Sequence, residues 1–313
     1  MSFWGAQVIV NLFSAIPVIG PDFSVWLRGD FVVGDATLNR FFAFHVIAIP
    51  LALLALVAAH ILALHDVGSN NPDGIEIKDK KDAAGKPLDG VPFHPYYTVH
   101  DVFGLAVFLM LFFAVVFFAP EMGGYFLEWN NFIPADSLST PPHIAPVWYF
   151  TPYYSILRAT TTDFMWVLSA GVAVYAGLVY LAVRAPLARM AVLGVTLVTL
   201  VFMLPKSPVA LDPKFWGVVL MGVSVMIFFG LPWLDQAAVK SMRYRPTWHF
   251  WLLIAWVVTF LVLGYFGTQP PAPIPTMICQ GLTLLYFAFF LLMPWWSRMG
   301  ESRPVPERLT GTH

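Results

Sequence analysis

Seven stretches of this chain run for about 20 residues with almost no charged side chain, and no single soluble core could hide them all. They cover residues 41–65, 102–119, 164–183, 190–204, 215–234, 249–267 and 277–296, the fourth being the shortest. A bilayer core about 30 Å thick is crossed by roughly 20 apolar residues in a helix, the conformation that satisfies every backbone N–H and C=O without water. The expected fold is therefore an all-α polytopic membrane protein with about seven transmembrane helices, surrounded by lipid. A composition of 58% hydrophobic and 11% charged residues fits only that class, and a formal net charge of −1 leaves no electrostatic footprint for nucleic acid. Cys279, the only cysteine, excludes disulfide staples and thiolate clusters and reads as a small packing residue. The first twenty residues show no basic leader followed by an apolar run and a cleavage site, so no signal peptide is read there.

Ahead of the first span, residues 3–30 alternate short apolar stretches with Pro17, Gly20, Pro21, Asp22 and Gly29, a pattern for amphipathic helices lying at the interface. Orientation follows from the basic residues. Lys78, Lys80, Lys81, Lys86, Arg184, Arg189, Lys240, Arg243, Arg245, Arg298, Arg303 and Arg308 fall on one face, against Arg28, Arg40, Arg158, Lys206 and Lys214 on the other. Twelve against five places the first set, and the carboxyl terminus, on the cytoplasmic side of a cell inner membrane. Residues 66–100 on that face carry a Gly/Asn turn region and a Lys/Asp-rich stretch, so their middle, 75–91, reads as a solvated, mobile linker. Residues 120–163 on the other face hold Trp129, Phe132, Trp148, Tyr149, Phe150, Tyr153 and Tyr154, which are costly to leave in water and should fold back as a lid.

The most informative pair is His45 and His60, both within one apolar helix. Fifteen residues separate them by about 22 Å along the axis and about 60° around it, so they address two sites, one above the other. Ionisable groups inside a membrane are expensive and usually functional. Two stacked haems would need such a helix, with iron on one ring nitrogen and the backbone orienting the other. Two histidines bonded to neighbouring helices would satisfy the spacing as well.

The flanking residues carry more. Arg40-Phe-Phe-Ala-Phe-His45, Pro50, His60 and the run His65-Asp-Val-Gly-Ser-Asn-Asn-Pro72 closely resemble the fourth transmembrane helix of cytochrome b. HPYYTVHD at 94–101 resembles that family's cytoplasmic lead-in to the next helix, TPPHIAPVWYF at 140–150 its quinol-oxidising loop, and WGAQVIVNLFSAIPVIG at 4–20 its interfacial helix pair. The likeness covers 1–162 and resumes from about 212 to 296, including SMRYRP at 241–246. It implies a bacterial-type cytochrome b subunit of a respiratory cytochrome bc1 complex. Residues 1–119 would be the remainder of its haem and quinone region, and 120–313 its C-terminal region.

By the same likeness, His45 and His60 each supply one axial ligand to one of two haem b groups, the low-potential and the high-potential. Quinol is oxidised near 140–154, with Gly5, Pro146, Val147, Trp148, Tyr149 and Tyr154 around it. One electron passes to a partner Rieske iron–sulfur protein, and the other reaches quinone by way of the two haem levels. Quinone, of the ubiquinone class, is reduced near His65, Ser69, Asn70, His100 and Asp101, where a carbonyl needs a hydrogen-bond donor and an acid–base pair must supply protons. Cytochrome c1 and a dimeric assembly complete the implied partners.

Three departures qualify the likeness. The family's first haem helix, with the other two axial histidines, is not in this sequence, and Met1 resembles an internal methionine after the family's third helix. A misplaced start, a fragment or a degraded gene is the expected explanation. Val147 stands where the usual motif has a glutamate that accepts a proton from quinol, although some members carry a similar version. Tyr149 and Glu128 are the substitutes to test, with Glu121 and Asp136 behind them. Third, 163–211 is longer than the family's connection and is expected to hold an additional hairpin at 164–204, turning at Arg184-Ala-Pro-Leu-Ala-Arg189, with peripheral packing or subunit contact as its role. The competing class is a non-functional fragment or a cofactor-free transporter. A transporter would show charges midway along several helices or paired broken helices. Neither is present.

Overall fold

The computed structural model describes residues 2–141 and 144–309. All of its regular structure among those residues is helical. Two short helices, α1 (Ser2–Phe13) and α2 (Gly20–Arg28), precede seven helices long and apolar enough to cross a membrane. These are α3 (Asp35–Val67), α4 (Tyr96–Phe118), α6 (Thr162–Ala182), α7 (Pro186–Met203), α8 (Pro213–Leu234), α9 (Thr247–Gly267) and α10 (Pro273–Leu291). Between the second and third of them lies α5 (Thr151–Ala159), and one turn, Met293–Trp296, follows the last. The seven expected spans are all there. α3 starts earlier than its apolar run, because Asp35–Arg40 continues the helix with Thr37 closing its first turn onto the Gly34 amide. α10 stops short of Trp296 because Pro294 starts a new turn.

The bundle core is built by α5, α8, α9 and α10. Ile156, Leu263, Tyr286 and Phe290 are its fully buried centre. Glycine lets the backbones meet: a Cβ at Gly267 would sit 2.7 Å from Thr151 backbone carbon, and one at Gly217 would sit 2.8 Å from the Leu157 carbonyl oxygen. Hydroxyls satisfy carbonyls across the same seams, Ser155 Oγ donating to Leu263 O (2.6 Å) and Tyr286 Oη to Ser224 O (2.7 Å). Such bonds count for more where water cannot substitute. α6 and α7 form a helical hairpin that turns at Arg184–Ala185. Phe164, Met165 and Leu168 of α6 pack with Met203 of α7 against Trp216 and Leu220 of α8. By contrast α3 and α4 contribute no buried residue from Ile49 onward in α3 or anywhere in α4.

Contacts sort the loops into two sets, in the alternation that the spans require. On one side Asp73 meets Arg243, Lys80 meets Glu307, Asp89 meets Arg308, and the Arg303 amide donates to Tyr244 O. On the other, α1 meets 136–139, Arg158 meets the end of α9, and Gln280 meets Ala159 and Thr161. The first set holds most of the Lys and Arg and is called the basic face below. Its long loop corrects the reading of 75–91 as a free linker: Lys80 and Asp89 tie it to the chain's C-terminal segment, and Lys78 Nζ donates to Asp66 O at 2.7 Å.

Candidate functional site

The predicted residues fall in three groups: two histidines on α3, the loop before α5, and the basic-face ends of α3 and α4. At the level nearest α1, His45 falls inside a five-residue π-helical segment, Phe44–Ala48, within α3. A π turn inserts about one residue, which moves the angular offset between His45 and His60 from about 60° to about 40° on the other side, so both still share one half of the helix. His45 Nδ1 lies 2.8 Å from Phe41 O. A carbonyl oxygen only accepts, so Nδ1 carries the proton and the lone pair is on Nε2. That is the tautomer a metal-binding imidazole needs, with its orientation fixed by the backbone. His60 forms no hydrogen bond to a described residue and stands on an exposed face of α3. No second histidine stands at either level among the described residues: His65, His94, His100 and His249 lie at or near helix ends on the basic face. The donor set would thus let this chain offer one imidazole at each of two levels.

Around the quinol-loop residues the backbone is bolted down while the side chains are not. Trp4, buried on α1 beside Gly5, donates its indole N–H toward Asp136 O (3.2 Å) and Ser139 O (3.0 Å), and Gln7 Nε2 reaches Ser137 O at 3.4 Å. Past Pro146, a tight turn carries Phe150 N to Val147 O (2.8 Å), and Thr151 Oγ donates to Trp148 O (2.6 Å). α5 is then clamped by Arg158, which donates to Phe266 O and Gln269 O, both at 2.8 Å, and lies over the Tyr154 ring at 4.9 Å. Tyr153 packs on Phe150 and Phe260. Burial pushes its phenol above the ordinary value, which keeps it neutral.

The lid expectation is corrected in part. Val147, Trp148 and Tyr149 are 52%, 82% and 58% exposed, and Trp129 and Phe132 also stand free of the bundle. α3 from Ile49 onward and α4 likewise bury no residue. Of the loop's aromatics, only Tyr153 and Tyr154 are half-buried. Glu128 is exposed, its carboxylate accepting from Asn131 Nδ2 at 3.1 Å, and no described contact joins it to Tyr149. Pro142 and His143 of the same loop lie outside the described residues.

On the basic face, His65, Ser69, Asn70, His100 and Asp101 are all exposed, at the end of α3 and the start of α4, and no hydrogen bond or ion pair joins His65 to Asp101 among the described residues. The loop that carries the first three is nevertheless held. Gly68, at φ +90°, ends the helix, and the Asn71 side-chain amide brackets Ile75, Nδ2 donating to Ile75 O and Oδ1 accepting from Ile75 N. Sequence reasoning missed the strongest hold: Asp73, 2% exposed, accepts from Arg243 Nη1 (2.9 Å) and Tyr244 Oη (2.6 Å), while Ser241 Oγ donates to Pro72 O (2.5 Å). The signal was present in the Asn-Pro-Asp-Gly turn and in SMRYRP, 170 residues apart, but nothing local links them. The Tyr244 phenol is held above its ordinary value chiefly by its bond to the Asp73 carboxylate.

Two family models account for most of the chain: cytochrome b(N-terminal)/b6/petB over residues 1–126 and cytochrome b(C-terminal)/b6/petD over 134–287. Cytochrome b of Allochromatium vinosum is 48% identical over 99% of this chain and 64% of its own length. Cytochrome b of Rhodospirillum rubrum is 39% identical over 98% of this chain and 60% of its own length. A solved structure described as a hyperthermophilic respiratory Complex III matches with a TM-score of 0.67 and 31% identity, over 95% of this chain and 62% of that one. The chain spans about three-fifths of the length of these relatives.

Proposed function

Because the chain belongs to the cytochrome b/b6 family, we propose that it serves as the cytochrome b of a bc1-type quinol:cytochrome c oxidoreductase, oxidising quinol at one face and reducing quinone at the other. The observation that carries this reading is His45, locked by Phe41 O in the tautomer that presents Nε2, on the same helix as a second histidine one site deeper. Haem b, when bound, supplies one-electron redox chemistry. His45 and His60 would each hold one iron from this chain, and no other described histidine lies at either level.

The quinol site in this reading is made by Pro146, Val147, Trp148 and Tyr149 with Gly5 of α1, whose neighbours Trp4 and Gln7 hold 136–139, and Tyr154 of α5. Valine at 147 neither accepts nor donates a proton, so a hydroxyl or carboxyl must. Tyr149, adjacent and exposed, is the nearer group in the chain; Glu128 serves only if its loop swings in. On the basic face, His65 and Asp101 take the acid–base roles, with Ser69, Asn70 and His100 as donors to the quinone oxygens. Asn70 Oδ1 already accepts from the Asn71 amide, which leaves its NH2 group to donate. Proton uptake at the basic face and release at the other would make turnover electrogenic. A Rieske iron–sulfur protein and then cytochrome c1 take one electron of each quinol in this scheme, the other returning to quinone at the basic face, within a dimer in the inner membrane, C-terminus cytoplasmic. The test is direct: membranes with and without the gene are reduced with a ubiquinol analogue. Gene-dependent cytochrome c reduction and a gene-dependent b-type absorbance band support the proposal; loss of neither overturns it.

A further inference from the structure

The hairpin α6–α7 is the one pair of spans with no place in the reading above, and its packing is lopsided. At the end away from the basic face, Phe164, Met165 and Leu168 seal α6 against Met203, Trp216 and Leu220. Farther along α6, toward the basic face, Tyr175 meets Trp295 edge-on at 6.1 Å. Beside this contact a cavity of about 520 Å³ opens, walled by Leu178 of α6, Ala255 and Trp256 of α9, and Leu285, Ala288 and Phe289 of α10. Trp296 and Met299 stand at its mouth.

The depth of the groove tells what fits. Its deepest wall on α9 is Thr259, twelve residues from the helix start at Thr247, or about 18 Å. That is roughly one leaflet of a core about 30 Å thick. A transmembrane helix from another chain would need a groove running the full height, and the Phe164–Trp216 seal denies it one. A lipid acyl chain needs one leaflet. The chain next to the lining on the basic face is positive: Arg184 follows α6, Arg298 precedes Met299, and Arg189 is pinned by Val183 O at 2.8 Å with its guanidinium over the Tyr180 ring. None of the three forms an ion pair among the described residues, and Glu301 is the nearby acid in sequence.

We propose that the hairpin exists to hold an anionic glycerophospholipid of the basic-face leaflet, its acyl chain against Leu178, Trp256 and Phe289 and its phosphate at Arg184 and Arg298. This site is independent of the haem and quinone assignments. Basic residues at the membrane surface attract such headgroups, and an apolar slot beneath them adds the chain's own burial.

The test uses the purified complex, stripped of lipid in detergent and then offered phosphatidylglycerol or phosphatidylcholine in mixed micelles, with retained lipid counted by native mass spectrometry. Phosphatidylglycerol should be retained with a preference of about tenfold or more, the scale set by two surface arginines. Arg184→Gln with Arg298→Gln should bring the two lipids to parity, and Leu178→Trp should abolish retention of both by filling the slot. A diazirine-bearing side chain in place of Ala288 should crosslink to phospholipid in unmodified background, which reads the site even where Leu178→Trp disturbs folding. Equal retention of the two lipids overturns the proposal. So does crosslinking of position 288 to polypeptide, which would make the groove a subunit contact.

Discussion

Gly267→Ala is the substitution through which the packing account meets the chemistry. Gly267 is the last residue of α9, and the methyl group would lie 2.7 Å from both the backbone carbon and Cβ of Thr151, and closer still to its carbonyl oxygen. Backbone cannot step aside as a side-chain tip can, so α5 must move or α9 must fray. Overpacking of this kind costs about 1–3 kcal/mol. The displacement is directed, because Thr151 Oγ holds Trp148 O and Arg158 holds Phe266 O and Gln269 O. The Val147–Phe150 turn moves with it. Every 1.4 kcal/mol of that strain felt in the reacting geometry slows quinol oxidation about tenfold. Two other glycines calibrate the scale. Gly264→Ala meets Pro152 Cγ at 3.4 Å, an ordinary contact, and Gly281→Ala meets nothing within 4 Å. Thermal unfolding of the assembled complex, followed by tryptophan fluorescence, should rank Gly267→Ala well below Gly264→Ala and leave Gly281→Ala within about 0.5 kcal/mol of the parent. Quinol oxidation should fall in the same order while quinone reduction at the basic face holds. If Gly267→Ala and Gly281→Ala prove equally stable and equally active, the close approach of α5 to α9 is wrong.

Tyr149→Phe removes one exposed hydroxyl and should slow quinol oxidation with little change in folding, whereas Glu128→Gln should have the smaller effect, since its carboxylate is engaged by Asn131; pre-steady-state oxidation in both singles and the double shows whether either group carries the proton. Asp73→Asn should loosen the 66–75 loop, read as faster proteolysis there and a raised KM for quinone reduction, with quinol oxidation unchanged. Because Tyr244 has its folded pKa raised, the stability it contributes is complete below the unfolded phenol's value near 10 and is lost as pH rises through the higher folded value. Parent protein should therefore lose stability above about pH 10 more steeply than Tyr244→Phe, measured as the pH dependence of Tm.

The spans were legible because charge is so costly in lipid that its absence marks them, down to the extra hairpin at Arg184-Ala-Pro. His45 and His60 were legible for the converse reason, being polar where polarity is expensive. The π segment at Phe44–Ala48 was not, since a one-residue change of backbone hydrogen bonding leaves the apolar pattern intact. Nor was the Asp73 clasp: Arg243 read as one more basic-face charge until the fold set it against a carboxylate from the other half of the chain. The lid was read too simply. Aromatic content foretold that 148–154 seeks cover, and Tyr153 and Tyr154 find it on α9 and Arg158, but Trp148 and Tyr149 have nothing packed on them. Val147 was visible at once as a departure from the motif the resemblance implies, and among the described residues no hydrogen bond brings a carboxylate to the 147–149 turn.

The central claim is that His45 and His60 serve two different haem levels, and reduced-minus-oxidised spectra of the assembled complex test it most directly. His45→Leu and His60→Leu each remove one imidazole from α3, and the two lie about 22 Å apart along its axis. In potentiometric titrations, each variant should lose one b-type component and keep the other, the low-potential one in His45→Leu and the high-potential one in His60→Leu. Loss of the same component in both, or of neither, would contradict the assignment.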